Sequence, residues 1–405
     1  MAKLSSSNGI EKRPKLRFPG FDEPWKETTL SALFSKSTQK NADGHITNVI
    51  CNSAKLGLIP QREYFDKDIA NSDNTSGYYI IRQNDFVYNP RKSSDAPYGP
   101  ISSYKYAEDG IVSPLYLCFH AKDEINPLYY EWYFRSSAWH RYIYMSGDSG
   151  ARHDRVSIKD DTFFAMPINL PSEQEQSKIA SFLQSLDERI AAQEKLVASL
   201  KKYKKGVMRA IFRDKSFVFP KATVWKSIHL GDECVFFSGG TPKSTDSSYY
   251  GGSIPFIRSG EIHGEKTELF LTEAGLQNSS AKMVSKGDLL IALYGATSGE
   301  VDISKIDGAI NQAILCICPY DMSKQYLRYL LEDSKDDIIN TYLQGGQGNL
   351  SAEIIKNLRV DIPDSTAQSS VVEFLSMIER RIGMSVEEYE QIQAMKRSLL
   401  QQLFI

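Results

Sequence analysis

Two stretches of the chain carry apolar side chains at alternating steps of four and three residues. The apolar positions of the first stretch are Ile179, Leu183, Leu186, Ile190, Val197, Leu200, Val207 and Ile211, and those of the second are Val371, Leu375, Ile378, Ile382, Tyr389, Ile392, Leu399 and Leu403. The polar exceptions fall at equivalent places, Gln193 and Lys204 in the first stretch and Ser385 and Lys396 in the second. A seam repeating every 3.5 residues over about five heptads predicts two long coiled-coil helices. The pattern leaves open the alternative that each helix packs only on its own domain.

The two seams belong to a longer internal repeat. Asp160–Phe212 aligns without gaps onto Ala352–Phe404, and Pro171 falls on Pro363. The chain is therefore a diverged tandem duplication, in which each globular region is followed by a helix. Because the first helix leads into the second globular region and the second helix leaves it, we expect the helices to run antiparallel. The predicted segments are an N-terminal tail over 1–17, globular domains over 18–158 and 215–351, and a strand end with a long helix over 159–214 and again over 352–405.

Short β-type runs separated by Gly, Asn, Asp and Ser dominate both globular regions and predict curved antiparallel sheets. Helical patterns around Pro127–Tyr144 and Ser323–Leu343 add one helix to each region. The helical spacing of the aromatic run over 129–134 favours a place in the core over base stacking. The predicted fold class is α+β, with two pseudo-twofold-related α/β domains separated by two long antiparallel coiled-coil helices.

Composition narrows the class of protein. The chain has 405 residues, enough for two or three domains, and 48 basic against 50 acidic side chains. This balance argues against a polybasic coat for nucleic acid but is compatible with a local basic groove. No apolar run approaches the ~18 residues of a membrane span. Five scattered cysteines do not suggest a disulfide framework, so we expect a reducing, cytoplasmic location.

A search for catalytic patterns finds none that is credible. The six histidines are isolated along the chain and form no metal pair. Residues 239–244 lack the glycine spacing of a phosphate-binding loop. Asn89-Pro90 is followed by Arg91-Lys92 and so departs from the Asn-Pro-Pro-aromatic motif with which adenine methyltransferases hold a flipped base. We therefore predict no catalytic residue, no metal site and no cofactor bound by this chain.

Polar and basic loops remain as candidates for nucleic-acid contact, because Arg, Lys and Asn reach base edges while Lys and Ser suit phosphates. The candidates of the first half are Asn52, Ser53, Lys55, Asn89, Arg91, Lys92, Ser93, Arg152 and Arg155. Those of the second half are Thr241, Lys243, Arg258, Ser259, Tyr294, Thr297, Ser298, Gln347 and Asn349.

Several strings in this order resemble the specificity subunit of type I restriction–modification enzymes. They are Ser238-Gly239-Gly240-Thr241-Pro242, residues 252–262 (GSIPFIRSGEI) and 346–351 (GQGNLS) in the second half, and residues 85–91 (DFVYNPR) and 110–114 (GIVSP) in the first. The helix start at 170–176 (LPSEQEQ) is also similar to that family. The second helix start, over 362–368, departs from this sequence pattern, and the first half lacks the Gly-Gly-Thr-Pro loop. The resemblance covers nearly the whole chain.

The resemblance implies a non-catalytic DNA reader in host defence, associated with the nucleoid through DNA. Each globular region would be a target-recognition domain that reads one half of a bipartite double-stranded target. The helices would space the domains and dock two modification (methyltransferase) subunits that bind S-adenosylmethionine, while restriction subunits supply ATP-dependent translocation and Mg²⁺-dependent cleavage. Two other classes stay open: a coiled-coil scaffold that binds only proteins, and a self-contained DNA methyltransferase or nuclease.

Overall fold

The structure is a computed structural model that describes residues 13–64, 75–147, 154–216, 224–342 and 349–405. The chain divides into two compact units, the first comprising Met1–Gln193 and Glu388–Ile405 and the second Glu194–Glu387. Both boundaries fall inside the long helices predicted above. Each unit therefore contains one globular region and a part of both helices.

The first unit is built on a four-stranded antiparallel sheet. Its elements are β1 Lys26–Thr29, α1 Leu30–Leu33, β2 Phe34–Ser37, β3 Ile50–Ser53, β4 Gly57–Pro60, α2 Gln61–Tyr64, β5 Tyr79–Ile81, β6 Phe86–Tyr88, β7 Ile101–Ser103, β8 Gly110–Val112, β9 Leu117–Ala121, α3 Pro127–Arg135, α4 His140–Ser146, α5 Asp160–Phe164 and β10 Pro167–Leu170. The central sheet has the order β2-β9-β6-β7, and β1 pairs with β10, β3 with β4 and β5 with β8.

Buried aromatic side chains fill the space between this sheet and α3. Phe34, Phe86 and Phe119 contact one another within the sheet, with ring centroids 5.3–5.7 Å apart. All the aromatic residues of 129–134 are buried, which confirms their predicted place in the core. The single helix predicted over Pro127–Tyr144 is wrong, because α3 ends at Arg135 and α4 begins at His140. The backbone NH of Ser136 turns back to the last carbonyls of α3 and ends the helix there.

The second unit repeats this plan. Its elements are β11 Lys226–His229, α7 Leu230–Glu233, β12 Cys234–Ser238, β13 Tyr250–Ile257, β14 Leu269–Leu271, α8 Glu273–Gln277, β15 Lys282–Val284, β16 Leu289–Ala292, β17 Val301–Ile303, β18 Gly308–Ile310, β19 Ile314–Pro319, α9 Lys324–Tyr342, α10 Ala352–Lys356 and β20 Arg359–Ile362. Three 3-10 turns lie at Ser247–Tyr249, Ser259–Glu261 and Gly295–Thr297. The sheet order β12-β19-β16-β17 matches the first unit's central sheet, and β11 pairs with β20 as β1 does with β10.

The second layer of strands differs between the units. In the second unit it is one four-stranded sheet, β14-β13-β18-β15, in which β13 and β18 run parallel. The sequence predicted antiparallel sheets only. In the first unit the equivalent strands form two separate antiparallel pairs, β3–β4 and β5–β8. A parallel bridge between Val49 and Ile111 joins the two pairs. Each globular region thus has two layers of strands with a helix on the central sheet, and the predicted α+β class is confirmed.

The two long helices are α6 Glu173–Phe212 and α11 Ser365–Gln402. Each helix is capped by a side chain just before its first turn, since the NH of Glu175 donates to Ser172 Oγ and the NH of Ala367 donates to Asp364 Oδ1. The seam positions are buried or half-buried along both helices. The helices pair and also pack on the domains, because the first unit's core includes Ile179 and Leu183 and the second unit's includes Val371 and Leu375. The predicted pairing is therefore confirmed, and the alternative, in which each helix packs only on its own domain, is wrong because each helix contributes to the cores of both units.

Side-chain pairs between the helices give their direction. In the first unit, Asp187 pairs with Lys396 and Arg189 pairs with Glu388. Residue numbers therefore increase along α6 while those of the partner residues in α11 decrease. The helices are therefore antiparallel, as expected. The polar seam residue Gln193 is buried and donates through Nε2 to Glu388, 3.2 Å away.

Candidate nucleic-acid interface

The described candidates of the first half line one cleft of about 800 Å³, here called the first-unit cleft. They are Asn52, Ser53, Lys55, Asn89, Arg91, Lys92, Ser93 and Arg155. Arg152, the remaining candidate of this half, lies outside the described residues. The cleft lies between the β3–β4 hairpin and the segment that follows β6.

A backbone strap holds the segment after β6 in place. Arg91 and Arg155 form an isolated antiparallel bridge, and the NH of Lys92 donates to Asp154 O at 2.9 Å. The NH of Arg91 also donates to Asn89 Oδ1 at 3.1 Å. Gly99 lies against this strap with φ +84°, and an added Cβ would meet Asn89 O at 2.1 Å. The strap therefore fixes where the basic side chains leave the backbone.

The cleft residues divide into a buried floor and an exposed rim. Asn52 is buried, donates through Nδ2 to Val87 O at 2.7 Å and accepts from Ser102 Oγ at 2.8 Å. Ser53 is also buried, and its Oγ accepts from the backbone of the hairpin turn. The polar atoms of these two side chains thus shape the cleft from within, while the side chains of Lys55, Arg91 and Lys92 are exposed.

Positive charge prevails on the rim. Asp95 is the acidic residue of the lining, and its carboxylate lies 3.7 Å from Lys55 Nζ. Across the described ranges, Arg91 and Lys92 take part in no ion pair. Arg155 Nε is buried and has no hydrogen-bond acceptor among the residues that the structure describes. That atom lies 4.0 Å from Asp154 Oδ2, whereas the exposed side chains of Arg91 and Lys92 are open to an anionic ligand such as a phosphate.

Two apolar side chains at the cleft were not among the residues predicted from the sequence, because the candidates there are those of polar and basic loops. Leu56 and Leu115 line the first-unit cleft and are 61% and 59% exposed. An exposed apolar group in a basic cleft can contact the methyl group of thymine in the major groove. The alternating pattern that would mark them in a strand is absent because both lie in turns.

The candidates of the second half fall into separate places. Thr241 and Lys243 follow β12, where Thr241 Oγ1 donates to Gln312 at 2.6 Å. The turn carrying Ser259 contacts the Gly295–Thr297 turn, which is flanked by Tyr294. Ser298 is buried and donates to Leu293 O at 2.7 Å, so its hydroxyl shapes the loop. Asn349 is exposed, and Gln347 lies outside the described residues.

Arg258 is already engaged by two carboxylates. Its Nε and Nη2 meet Glu261 at 3.0 and 3.2 Å, and Nη2 also meets Glu268 at 2.6 Å. These hydrogen bonds, with Glu261 the stronger partner, raise the pKa of Arg258 above its ordinary value. A two-pronged contact with guanine needs two adjacent N–H groups, and Nη2 is shared by both edges of the guanidinium. In this arrangement only Nη1 is left for a ligand.

His263 joins two segments of the second unit in a loop clamp formed with Asp302 and Glu300. Its Nδ1 lies 2.8 Å from Asp302 Oδ2, and its Nε2 lies 3.3 Å from Glu300 Oε2. The hydrogen bond to Asp302 raises the pKa of His263, burial opposes this, and Glu300 adds to it. Lys335 pairs with Glu300, and Lys305 donates to the carbonyl of His263. The sequence showed an isolated histidine because its acidic partners lie about forty residues away.

The same described ranges offer few other sites of chemistry. They contain no group of three or more His, Cys, Asp or Glu side chains arranged to hold a metal ion. Cys316 and Cys318 share one face of β19 with their Sγ atoms 3.8 Å apart, and burial raises the pKa of Cys316. Across those ranges, no helix is long and apolar enough to pass through a bilayer.

A family model for the type I restriction modification DNA specificity domain matches the chain twice, over residues 27–202 and 223–394. The chain belongs to this family. The resemblance inferred from the sequence is thereby confirmed, and the two matched regions fall mainly in the first and the second unit, respectively. The type I restriction enzyme MjaVIII specificity subunit of Methanocaldococcus jannaschii is 26% identical over 260 residues, which are 59% of this chain and 61% of that protein. The chain thus spans about three fifths of the length of this relative.

Several solved structures share the fold of this chain at low sequence identity. The HsdS subunit from Thermoanaerobacter tengcongensis has a TM-score of 0.52 and 17% identity, covering 98% of this chain and 99% of that one. The type I restriction-modification system S subunit from M. genitalium has a TM-score of 0.56 and 16% identity, covering 97% and 99%. A chain from a study of type I R-M complex assembly reaches a TM-score of 0.65 at 16% identity, covering 96% and 99%.

The loop clamp gives the second specificity domain a pH-dependent contribution to stability. Because the pKa of His263 is raised above its ordinary value of about 6.5, the clamp contributes fully below that pH and is lost as the pH rises through the raised value. The ring is half-exposed, so the contribution stays below about 1 kcal/mol. We expect His263→Gln to lower Tm more at pH 5.5 than at pH 9. An equal loss of Tm at both values would contradict a charged clamp.

Proposed function

We propose that this chain is the specificity subunit of a type I restriction–modification complex, in which each specificity domain reads one half of a bipartite double-stranded DNA target. The observation that carries this proposal is the family's DNA specificity domain, which matches the chain twice. The first-unit cleft supports it, because exposed Arg91 and Lys92 lack ionic partners across the described ranges. A duplicated reader suits a target made of two separate half-sites.

The chemistry of the cleft fits contact with both bases and phosphates. Arginine can make a two-pronged contact with guanine, and lysine and serine suit phosphate oxygens. The net charge of −2 is no obstacle, because the cations lie together in one cleft. Affinity then depends on salt, since each neutralised phosphate releases counterions.

Catalysis would reside on partner subunits. Two modification subunits would bind S-adenosylmethionine and dock on the paired helices, and restriction subunits would bring ATP and Mg²⁺. The duplication supports two copies of the modification subunit, since it provides two similar helix segments. In this proposal the chain is non-catalytic and acts in the cytoplasm, at the nucleoid.

Methylation mapping of the host genome tests this function. We expect that cells with the gene carry an adenine-methylated motif of two fixed parts separated by unread bases, and that deleting the gene removes this motif alone. Restoring the gene on a plasmid should restore the motif. Persistence of every methylated motif after deletion would contradict the proposal and favour a scaffold that binds only proteins. Methylation by the purified chain without partner subunits would instead favour a self-contained methyltransferase.

A further inference from the structure

A cluster of ion pairs joins the second specificity domain to both long helices. Lys204, on the seam of α6, lies 2.7 Å from Glu379 of α11 and 2.7 Å from Glu332 of α9. Arg328 of α9 lies 2.6 Å from Glu379 and 3.2 Å from Glu332. These four side chains are here called the second-unit lock. Each cation meets both acids, so the lock connects three helices.

The two cations of the lock are largely removed from solvent, whereas the two acids are partly exposed. The side chains of Arg328 and Lys204 are 9% and 12% exposed. Burial opposes the ionisation of Glu379, but Arg328 and Lys204 outweigh it and hold the pKa of this carboxyl below its ordinary value. Tyr329 lies beneath, with its hydroxyl donating to Glu379 and its ring 4.1 Å from the Arg328 guanidinium. Removal of one partner would leave another charge half-buried and uncompensated, which costs far more than an exposed pair.

The first unit contains the counterpart, here called the first-unit lock. Lys396, on the seam of α11, pairs with Asp187 of α6 and lies 4.8 Å from the ring centroid of Trp132. Arg135 of α3 lies 3.6 Å from Asp187 and 2.6 Å from Glu131. The side chain of Glu131 is 4% exposed. A seam lysine, an acid on the opposite helix and an aromatic ring on the domain helix therefore recur.

The charges on the domain helix are exchanged between the two locks. In α3 an acid precedes an arginine by four residues, whereas in α9 an arginine precedes an acid by four. In both units it is the arginine that meets the acid of the long helix. The corresponding positions are Tyr129 with Tyr326, Glu131 with Arg328, Trp132 with Tyr329, and Arg135 with Glu332.

This exchange leaves the point of attachment unchanged, because Trp132 and Tyr329, at corresponding positions of α3 and α9, both lie against the seam lysine. Four residues span about 6 Å along a helix, so the two domain helices present their arginines one turn apart to equivalent long-helix acids. Two different charge orders thus bring an arginine to the equivalent long-helix carboxylate. Because this contact recurs in both units although the charge order differs, it points to a role in fixing how the domain helix lies along the helix pair.

We propose that the two locks set the angle and register at which each specificity domain is attached to the paired helices, and so determine which spacer length between the half-sites the protein accepts. This inference rests on the proposed function. In the first unit the lock adjoins the first-unit cleft, because Lys55 and Asp95 of the cleft line one pocket together with Arg135, Asp187 and Lys396 of the lock. A displacement of the cleft by about 3.4 Å, the rise of one base pair, is enough to change the accepted spacer by one step.

The test exchanges the charges of α9 in the full chain, assembled with its modification subunits. The variants are Arg328→Glu, Glu332→Arg and the double variant, which reproduces the charge order of α3. Methylation is measured on targets with the wild-type half-sites and spacers from three base pairs shorter to three longer. A matched control exchanges Glu353 and Lys356, an ion pair within α10 that lies outside the lock.

We expect the wild type and the control to prefer one spacer length. Each single variant places three like charges together, and its preference for that length over the neighbouring lengths should fall by about tenfold. The double variant should recover the preference, while selectivity for the bases of both half-sites stays unchanged in all variants. The milder Arg328→Lys variant keeps the charge but loses the two-acid contact, and we expect a smaller loss of preference from it.

Some results would overturn the inference. Single variants that keep the wild-type spacer preference, or that lose methylation equally at every spacer in parallel with Tm, would make the lock a stabilising element only. A double variant no better than the singles would show that charge order does not matter. Absence of any bipartite target for the wild type would defeat the proposed function itself, so the two failures are distinguishable.

Discussion

Replacing Arg91 with Ala should weaken DNA binding by about 10- to 100-fold, through one half-site of the target only. The side chain is exposed, lies on the rim of the first-unit cleft and forms no ion pair across the described ranges. Its backbone is fixed by the bridge to Arg155 and by Asn89, so binding does not have to order the backbone from which the guanidinium extends. A two-pronged contact with a base is worth about 1–3 kcal/mol, which sets the size of the effect.

The measurement is a binding titration of the assembled complex on three DNAs: the intact target and targets altered in one half-site each. If Arg91 reads a base, Arg91→Ala should not discriminate further against DNA whose first-domain half-site is already altered. Lys92→Ala serves as the matched control, since a phosphate contact should weaken binding to all three DNAs equally and lower the salt dependence by about one counterion. Equal weakening by Arg91→Ala on all three would assign that side chain to a phosphate.

Arg258 shows why the two halves differ in this respect. The sequence places it beside Ser259 in a loop that looks as suitable for base contact as the Arg91 loop. In the structure its Nη2 is shared between Glu261 and Glu268. We therefore expect Arg258→Ala to loosen the segment over 258–268 and to act on Tm as well as on DNA binding. Glu268 is ten residues away, and nothing in the sequence pairs it with Arg258.

The long helices were predictable because their signal is local and repeated. An apolar residue at every third or fourth position predicts both the helix and the face that it buries, and the duplication provides this signal twice. The caps at Ser172 and Asp364 are equally local, because a cap contacts NH groups only three residues ahead. The antiparallel direction followed from connectivity alone.

The details of the candidate site were not predictable for the opposite reason. Asn52 appears in the sequence as one more polar loop residue. In the structure its side-chain amide donates to Val87 O and accepts from Ser102 Oγ, and both partners are distant in sequence. The break between α3 and α4 depends on Ser136 and on Trp139, whose indole NH reaches back to Phe134 O. The locks likewise join residues more than fifty positions apart. Such contacts depend on the tertiary fold, which periodicity does not describe.

Adding one heptad to both long helices should lengthen the unread spacer by about three base pairs and leave both half-sites unchanged. Seven residues extend a helix by about 10.5 Å, or three steps of about 3.4 Å along DNA. The insertion points are the unit boundaries: a copy of 187–193 after Gln193 and a copy of 388–394 before Glu388. Both copies continue the steps of four and three, so the seam and the contacts inside each unit are kept.

Methylation mapping in cells that express the variant gives the measurement, and two insertions serve as controls. A heptad in α6 alone leaves the helices unequal, and two residues in both helices turn the seam by about 200° to the opposite face, so both insertions should abolish methylation. Co-purification with the modification subunits shows that the two-heptad variant assembles. An assembled, active variant that still prefers the original spacer would contradict a ruler.

The rotation of DNA sharpens this test. Three base pairs turn the duplex by about 100°, while a heptad of coiled coil drifts by only about 20°, so the one-heptad variant presents one domain away from its groove and should methylate weakly. Three heptads in each helix add about 31 Å, or about nine base pairs, which is nearly a full turn of 10–10.5. We therefore expect activity to recover in the three-heptad variant on targets with nine or ten added base pairs. A steady decline from one to three heptads would instead mean that the helices hold the domains without measuring the distance between the half-sites.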